Sequence, residues 1–107
     1  MAYAGIMGDA WVYILRCRDG SLYTGWSSDL QRRLARHRAG RASRYTASRL
    51  PVELVLAVAM PDRTAARREE ARIKALDRSA KLALIGAKAR SGERADGHGG
   101  VSAPLRA

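Results

Sequence analysis

The feature that most constrains this chain is an Asp-Gly pair set between two short runs of strand-forming residues. Trp11–Cys17 (WVYILRC) and Ser21–Trp26 (SLYTGW) are rich in β-branched and aromatic side chains, and Arg18-Asp19-Gly20 separates them. Asp-Gly supplies the backbone freedom that a tight reversal needs, so the two runs predict a β-hairpin. With 107 residues, one domain and one modest core are expected, and the rest of the fold must be laid on that hairpin.

The remaining elements follow from punctuation and period. Ser28-Asp29-Leu30-Gln31 matches a capping box and predicts a helix from Ser28 to about Ala39, ended by Gly40, with Leu30 and Leu34 facing the core. Gly40–Leu50 reads as a basic loop. Val52–Met60 (VELVLAVAM) is almost continuously apolar and is the natural candidate for a central strand. After Pro61-Asp62, Thr64 is expected to cap a helix to about Leu76, and Ser79 a shorter one to about Lys88. The order is ββαβαα, an α/β (α+β) domain on a small sheet. Residues 1–10 read as a loose lead-in, 11–88 as the domain, and 89–107 as a mobile glycine-rich tail.

Charge narrows the partners. The chain carries a net +10, and Arg32–Arg49 holds seven arginines and no acid. Arginine forks match phosphate oxygens in pairs, so this stretch points to a polyanion bound with strong salt dependence. Arg32, Arg36, Arg41, Arg44 and Arg49 are the candidate nucleic-acid contacts, with Tyr45 as a ring on which a base could stack. No apolar run approaches the ~18 residues of a membrane span, and Met1–Ala10 lacks a charged start before an apolar stretch. A soluble, cytoplasmic chain with no membrane partner is expected. Oligomeric state is left open.

Several chemistries are excluded by subtraction. A lone cysteine, Cys17, rules out an internal disulfide and a multi-cysteine zinc site, and it is expected to be a buried thiol at a strand end. Without asparagine no His-Asn-His nuclease site can be built. No carboxylate pair is spaced to clasp two ions, and Gly20–Ser27 has Trp26 where a phosphate loop needs its lysine. No nucleophile elbow is present.

What remains is a set of single residues, each with an ordinary alternative. Tyr13 and Tyr23 lie ten residues apart across the turn and could be neighbours, in a register that the sequence leaves open, or could be plain strand aromatics. Arg33 and His37 share one helix face at i and i+4, with Asp29 placed for a surface pair with Arg33. Glu69 and Glu70 interrupt a small-residue stripe; Glu70 tends toward the packed side, Glu70–Lys74 is an equally natural surface pair, and periodicity does not choose between the two acids.

Taken together, Val12-Tyr13-Ile14, Tyr23-Thr24-Gly25, Asp29-Leu30-x-x-Arg33-Leu34-x-x-His37 and Glu70-x-x-Ile73-Lys74 resemble the GIY-YIG nuclease domain, most closely its small stand-alone bacterial members. The likeness covers about Trp11–Ile85, and Leu76-Asp77-Arg78-x-x-Lys81-Leu82 is similar to the same subgroup. The resemblance implies a three-stranded antiparallel sheet flanked by helices and a metal-dependent endonuclease that cleaves a phosphodiester, with DNA preferred to RNA and a place in DNA repair or recombination. Branched, nicked or otherwise structured DNA is within that range. It further implies that Tyr13 and Tyr23 are the two motif tyrosines, Arg33 the catalytic arginine, His37 a site that is His or Tyr, and Glu70 the ligand of one Mg²⁺ or Mn²⁺. Trp11 stands for the first motif's glycine, Thr24 for the second motif's isoleucine, and Trp26 where some members carry an active-site lysine. A non-catalytic basic nucleic-acid-binding module on the same fold is the competing reading.

Overall fold

The structure is a computed structural model that describes residues 9–96, with side chains described for 9–89. Its elements are β1 (Ala10–Arg16), β2 (Leu22–Ser27), α1 (Leu30–Arg38), α2 (Arg44–Ala47), β3 (Glu53–Met60), α3 (Arg63–Lys74) and α4 (Arg78–Asp96). The three strands form one antiparallel sheet in the order β2-β1-β3, the three-stranded antiparallel sheet of an α+β domain that the resemblance implies.

The hairpin forms where Asp-Gly predicts it. Gly20 takes φ of 88°, and Asp19 Oδ1 accepts hydrogen bonds from the amide and hydroxyl of Ser21 at 3.0 and 2.6 Å. Ser21, followed by Arg49 at 3.1 Å, holds the Asp19 carboxyl below its usual range. The pairing runs from Trp11↔Ser27 to Arg16↔Leu22, which sets Tyr13 opposite Gly25 and Tyr23 opposite Leu15. Side chains alternate between the two faces of a strand, so both tyrosines lie on one face.

That alternation splits the core in two. Val12 and Ile14 join Ala66 and Ile73 of α3 beneath one face, with Trp26, Leu84 and Ile85 packed against them. Tyr13 and Leu15 join Leu34 of α1 on the other, with Tyr23, Leu30, Val52 and Leu54. A register skip between Ile14 and Leu15 inserts an extra β3 residue, so that Val55 and Leu56 both enter the α3 side. Truncating Leu34 or Ile73 to alanine should cost about 2–5 kcal/mol.

Several expectations are corrected. The central strand is β1, not Val52–Met60. The apolar run of β3 is explained by its packing on both sides of the sheet, while β1 is the strand buried almost throughout. Each of the three helices predicted from the sequence is capped by an aspartate instead of the expected hydroxyl residue, whereas the short α2 is capped by Ser43. Asp29, not Ser28, receives the Arg32 amide at 3.1 Å; Asp62, not Thr64, receives Ala65 at 2.8 Å; Asp77, not Ser79, receives Ala80 at 2.8 Å. A carboxylate adds full negative charge to the hydrogen bond at the positive end of a helix, and each such cap contributes about 1 kcal/mol. Ala10 is no part of a lead-in: it opens β1, opposite Met60, and is fully buried. The Gly40–Leu50 loop contains the short helix α2, and α4 runs on to Asp96, past Lys88. The rest of the lead-in and the segment 97–107 lie outside the described residues. Cys17 is buried just past β1 as expected, and burial pushes its thiol up. Among the described residues no helix is long and apolar enough to cross a membrane.

Candidate active site

Tyr13 sits at mid-strand on the central strand and is fully buried. Its ring extends across Gly25 on β2, where a methyl group would come within 2.6 Å of the hydroxyl oxygen. Glycine at that position is what lets the phenol lie flat across the neighbouring backbone. The hydroxyl reaches His37 Nε2 at 2.8 Å, and the two rings meet edge to face, 5.6 Å between centroids. Burial pushes the Tyr13 phenol up to about 12; the Arg33 guanidinium beside it pulls the other way, while Tyr23 and Glu70 add to the rise.

His37 is only 1% exposed, because its place one step round α1 from Leu34 turns it inward. Tyr23 meets it edge to face at 5.2 Å. Its second nitrogen, Nδ1, lies 2.9 Å from Thr46 Oγ1, itself fully buried on α2 and 2.9 Å from Ser43 Oγ. Burial first, then the charges of Arg33 and Arg36, hold His37 down to about 4. It is a neutral imidazole at pH 7.

Arg33 borders an open groove of about 430 Å³, lined also by Ser27, Ser28, Asp29, Arg32 and Arg36. Three arginines and two serines on one opening are donors only or donor-capable, which suits phosphate oxygens. Across from this helix, Glu70 lies close enough to Tyr13 to act on its charge. The two acids have different partners. Glu69 is clasped by Arg72 through two contacts of 2.9 and 2.6 Å. Glu70 makes the predicted pair with Lys74 at 3.3 Å and keeps about one-fifth exposure. Tyr13, Tyr23, Arg33 and His37 are thus brought together on one face of the sheet, while Glu70 sits on α3, which packs on the other face, and reaches them only through its electrostatic effect on Tyr13.

The candidate nucleic-acid contacts separate into two groups. Arg32, Arg36, Arg41 and Arg44 are exposed, the first two on the groove described above, and Arg36 donates to the Arg41 carbonyl at 3.0 Å. Arg49 is held: it donates to Asp19, to the Tyr45 carbonyl and to Ser48 Oγ at 3.0–3.1 Å. Tyr45 is exposed, but its ring already has neighbours. The Arg49 guanidinium stands 3.8 Å above its centroid, and Tyr23 stacks with it at 6.0 Å.

Ser43 and Thr46 escaped the sequence reading, and Gly25 entered it only within Tyr23-Thr24-Gly25, without its place opposite Tyr13. A glycine facing mid-strand Tyr13 could have been found once the register was known. Nothing in Arg44-Tyr45-Thr46 signals a histidine partner nine residues from His37. Trp26, standing where some relatives carry a lysine, packs into the α3-side core.

A small three-stranded sheet with this residue set has its counterpart among known proteins. A family model described as the GIY-YIG catalytic domain matches residues 9–83. The chain therefore belongs to the GIY-YIG family, whose members are in general endonucleases and so act on nucleic acid. Within it the chain is similar to UPF0213 proteins. One from Streptococcus sanguinis (strain SK36) is 49% identical over 76 residues, covering 71% of this chain and 87% of the relative. One from Natronomonas pharaonis is 43% identical over 77 residues, covering 72% and 91%. The solution NMR structure of a UPF0213 protein from Bacillus halodurans matches with a TM-score of 0.51 at 42% identity, covering 74% of this chain and 84% of that one.

Proposed function

We propose that this chain is an endonuclease that hydrolyses phosphodiester bonds in DNA with the help of one divalent cation, Tyr13 serving as the base. The reading is carried by one convergence: the buried Tyr13 hydroxyl is bonded to His37 at 2.8 Å and shares its surroundings with Arg33, Tyr23 and Glu70. Four separate elements contribute these groups, and perturbed titrating groups gathered beside a basic groove are the usual mark of a working site.

A phenol that titrates near 12 is not ionised at pH 7. Tyr13 acts instead by passing its proton to His37 Nε2 while its oxygen takes one from the attacking water. The hydroxide oxygen bonds to phosphorus, the P–O3′ bond breaks, and the leaving oxygen takes a proton from solvent. Arg33 offsets the negative charge that builds on the phosphate in between. Arg32 and Arg36 hold flanking phosphates.

The donor set fits magnesium or manganese. Glu70 is a single carboxylate, and among the described residues no group of three or more His, Cys, Asp or Glu stands together to hold a metal. Magnesium binds in this way, through one or two carboxylates with water completing its shell. Held by Glu70 in exchange for Lys74, the ion would supply Lewis-acid polarisation of a phosphate oxygen and of the leaving O3′.

Purified protein with Mg²⁺ or Mn²⁺ is expected to nick nicked, branched or plain duplex DNA. Tyr13→Phe, Arg33→Ala and Glu70→Ala should each abolish the activity, and a triple variant that cuts like the parent overturns the assignment. Trp26 favours a second reading, a binding module without chemistry, because its indole is committed to the core where some relatives have an amine. DNA binding unaffected by EDTA, with no cleavage in any divalent metal, would decide for it.

A further inference from the structure

The hydroxyl of Thr46 is the least expected group near the site. It is fully buried on a helix of four residues, contacts no phosphate-facing side chain, and lies 2.9 Å from His37 Nδ1. The direction of the hydrogen bonds around it can be worked out by counting donors. Arg33 approaches the Tyr13 oxygen and can only donate. The single phenolic hydrogen of Tyr13 must then go to its other close neighbour, His37 Nε2, at 2.8 Å. That nitrogen must be bare. A neutral imidazole has one N–H, which therefore sits on Nδ1 and points at Thr46 Oγ1.

The Thr46 hydroxyl can receive that hydrogen because its own is turned to Ser43. The Ser43 Oγ lies 2.9 Å away and its carbonyl oxygen 3.4 Å away. Ser43 is itself fixed, as the cap of α2 accepting the Thr46 amide at 3.1 Å. The links from Tyr13 to His37, His37 to Thr46 and Thr46 to Ser43 then all run in one donor sense.

We propose that Thr46 is a positioning residue that holds His37 in its Nδ1–H form, so that Nε2 is the acceptor for the Tyr13 proton during phosphodiester hydrolysis. The inference rests on the catalytic reading given above. In the step, the Tyr13 O–H bond breaks and an N–H bond forms at Nε2, while the Tyr13 oxygen gains a proton from water. Water becomes the hydroxide that bonds to phosphorus, and His37 becomes an imidazolium that later returns its proton to solvent. The reverse form, with hydrogen on Nε2, would leave the phenolic hydrogen without His37 as its acceptor and offer no lone pair at Nε2 to take the proton.

The test is nitrogen-15 NMR of the full chain labelled in histidine, with a His98→Gln variant to assign the two rings. Native protein at pH 7 should show the hydrogen of His37 on Nδ1. Thr46→Ser should preserve that form and Thr46→Val should lose it. In cleavage assays with Mg²⁺ and nicked duplex, Thr46→Val should lower kcat at least tenfold with KM changed less than threefold, and Thr46→Ser should restore kcat. Hydrogen on Nε2 in native protein overturns the proposal, and so does a Thr46→Val protein that keeps both the Nδ1–H form and its kcat. The native spectrum and Thr46→Ser decide the matter even if Thr46→Val does not fold. Native protein with the Nδ1–H form that cuts no DNA in any metal overturns the catalytic reading while supporting the hydrogen-bond assignment.

Discussion

Gly25 stands directly opposite Tyr13 on the adjacent strand, and the phenol occupies the space a side chain would need. A β-carbon there would lie 2.6 Å from the hydroxyl oxygen and 2.7 Å from the ring carbon bearing it. Both atoms belong to a fully buried ring clamped by His37, so the collision cannot be relieved by a swing into solvent. Gly25→Ala should therefore cost about 1–3 kcal/mol. It should also pull the hydroxyl off His37 and lower cleavage by about 10²-fold. Thermal melts beside single-turnover assays check both; an alanine variant as stable and active as the parent shows the phenol is not held there.

Acid should weaken the fold through His37. Its imidazole is held down to about 4 in the fold against 6.5 when free. The unfolded chain thus binds a proton that the folded one refuses between those values. Stability is full above pH 6.5 and falls as the pH drops toward 4, by about 3 kcal/mol over the window. The groups facing the ring are Tyr13, Tyr23 and Thr46 from other elements and Arg33 and Arg36 from its own. Urea denaturation at pH 7.5 and 4.5 should show a drop that His37→Gln largely removes. An equal drop in both proteins would assign the acid sensitivity elsewhere.

Glu70 and the arginines should separate in their effects. Glu70→Gln removes the proposed metal ligand but no phosphate donor. Cleavage should fall to background at every Mg²⁺ concentration, while affinity for a DNA duplex measured in EDTA stays within about twofold of the parent. A parallel loss of binding would mean that Glu70 organises the groove and does not hold an ion.

Salt dependence should distinguish the groove arginines from Arg49. Replacing both Arg32 and Arg36 with alanine should lower the slope of log affinity against log salt by about 2. Arg49→Ala should leave that slope unchanged, because its guanidinium is spent on Asp19, Ser48 and the Tyr45 carbonyl. It should instead loosen the link between the hairpin turn and α2, seen as a lower melting temperature. A slope change with Arg49→Ala would place that residue on the phosphate path.

The hairpin and the shared helix face of Arg33 and His37 could be read from the residues, because turn chemistry and helical spacing are local properties, whereas a common site for Tyr13 and Glu70 came only from the family likeness. The errors arose where two local signals competed. Ser28 and Asp29 are adjacent and both can cap, and the carboxylate prevailed, as at Asp62 and Asp77. Val52–Met60 and Trp11–Cys17 are both apolar enough for a sheet centre. What decides is which strand has neighbours on both edges, a property of the whole topology. The roles of Thr46 and Gly25 depend on a long-range contact and on register, so Gly25 stood out only as a motif residue and Thr46 not at all. That Arg49 pairs with Asp19 and lies over the Tyr45 ring was not legible, because composition does not tell a cation that is already paired from one that is not.

The tyrosine proposed to do the chemistry lies on the one strand that is bonded on either side. To shift it, both ladders must part at once, which amounts to unfolding the sheet. Amide protons along that strand should accordingly be among the last in the chain to exchange with deuterium. Any adjustment that admits a bulky polynucleotide must then fall to the helices and loops around a reaction centre that stays still.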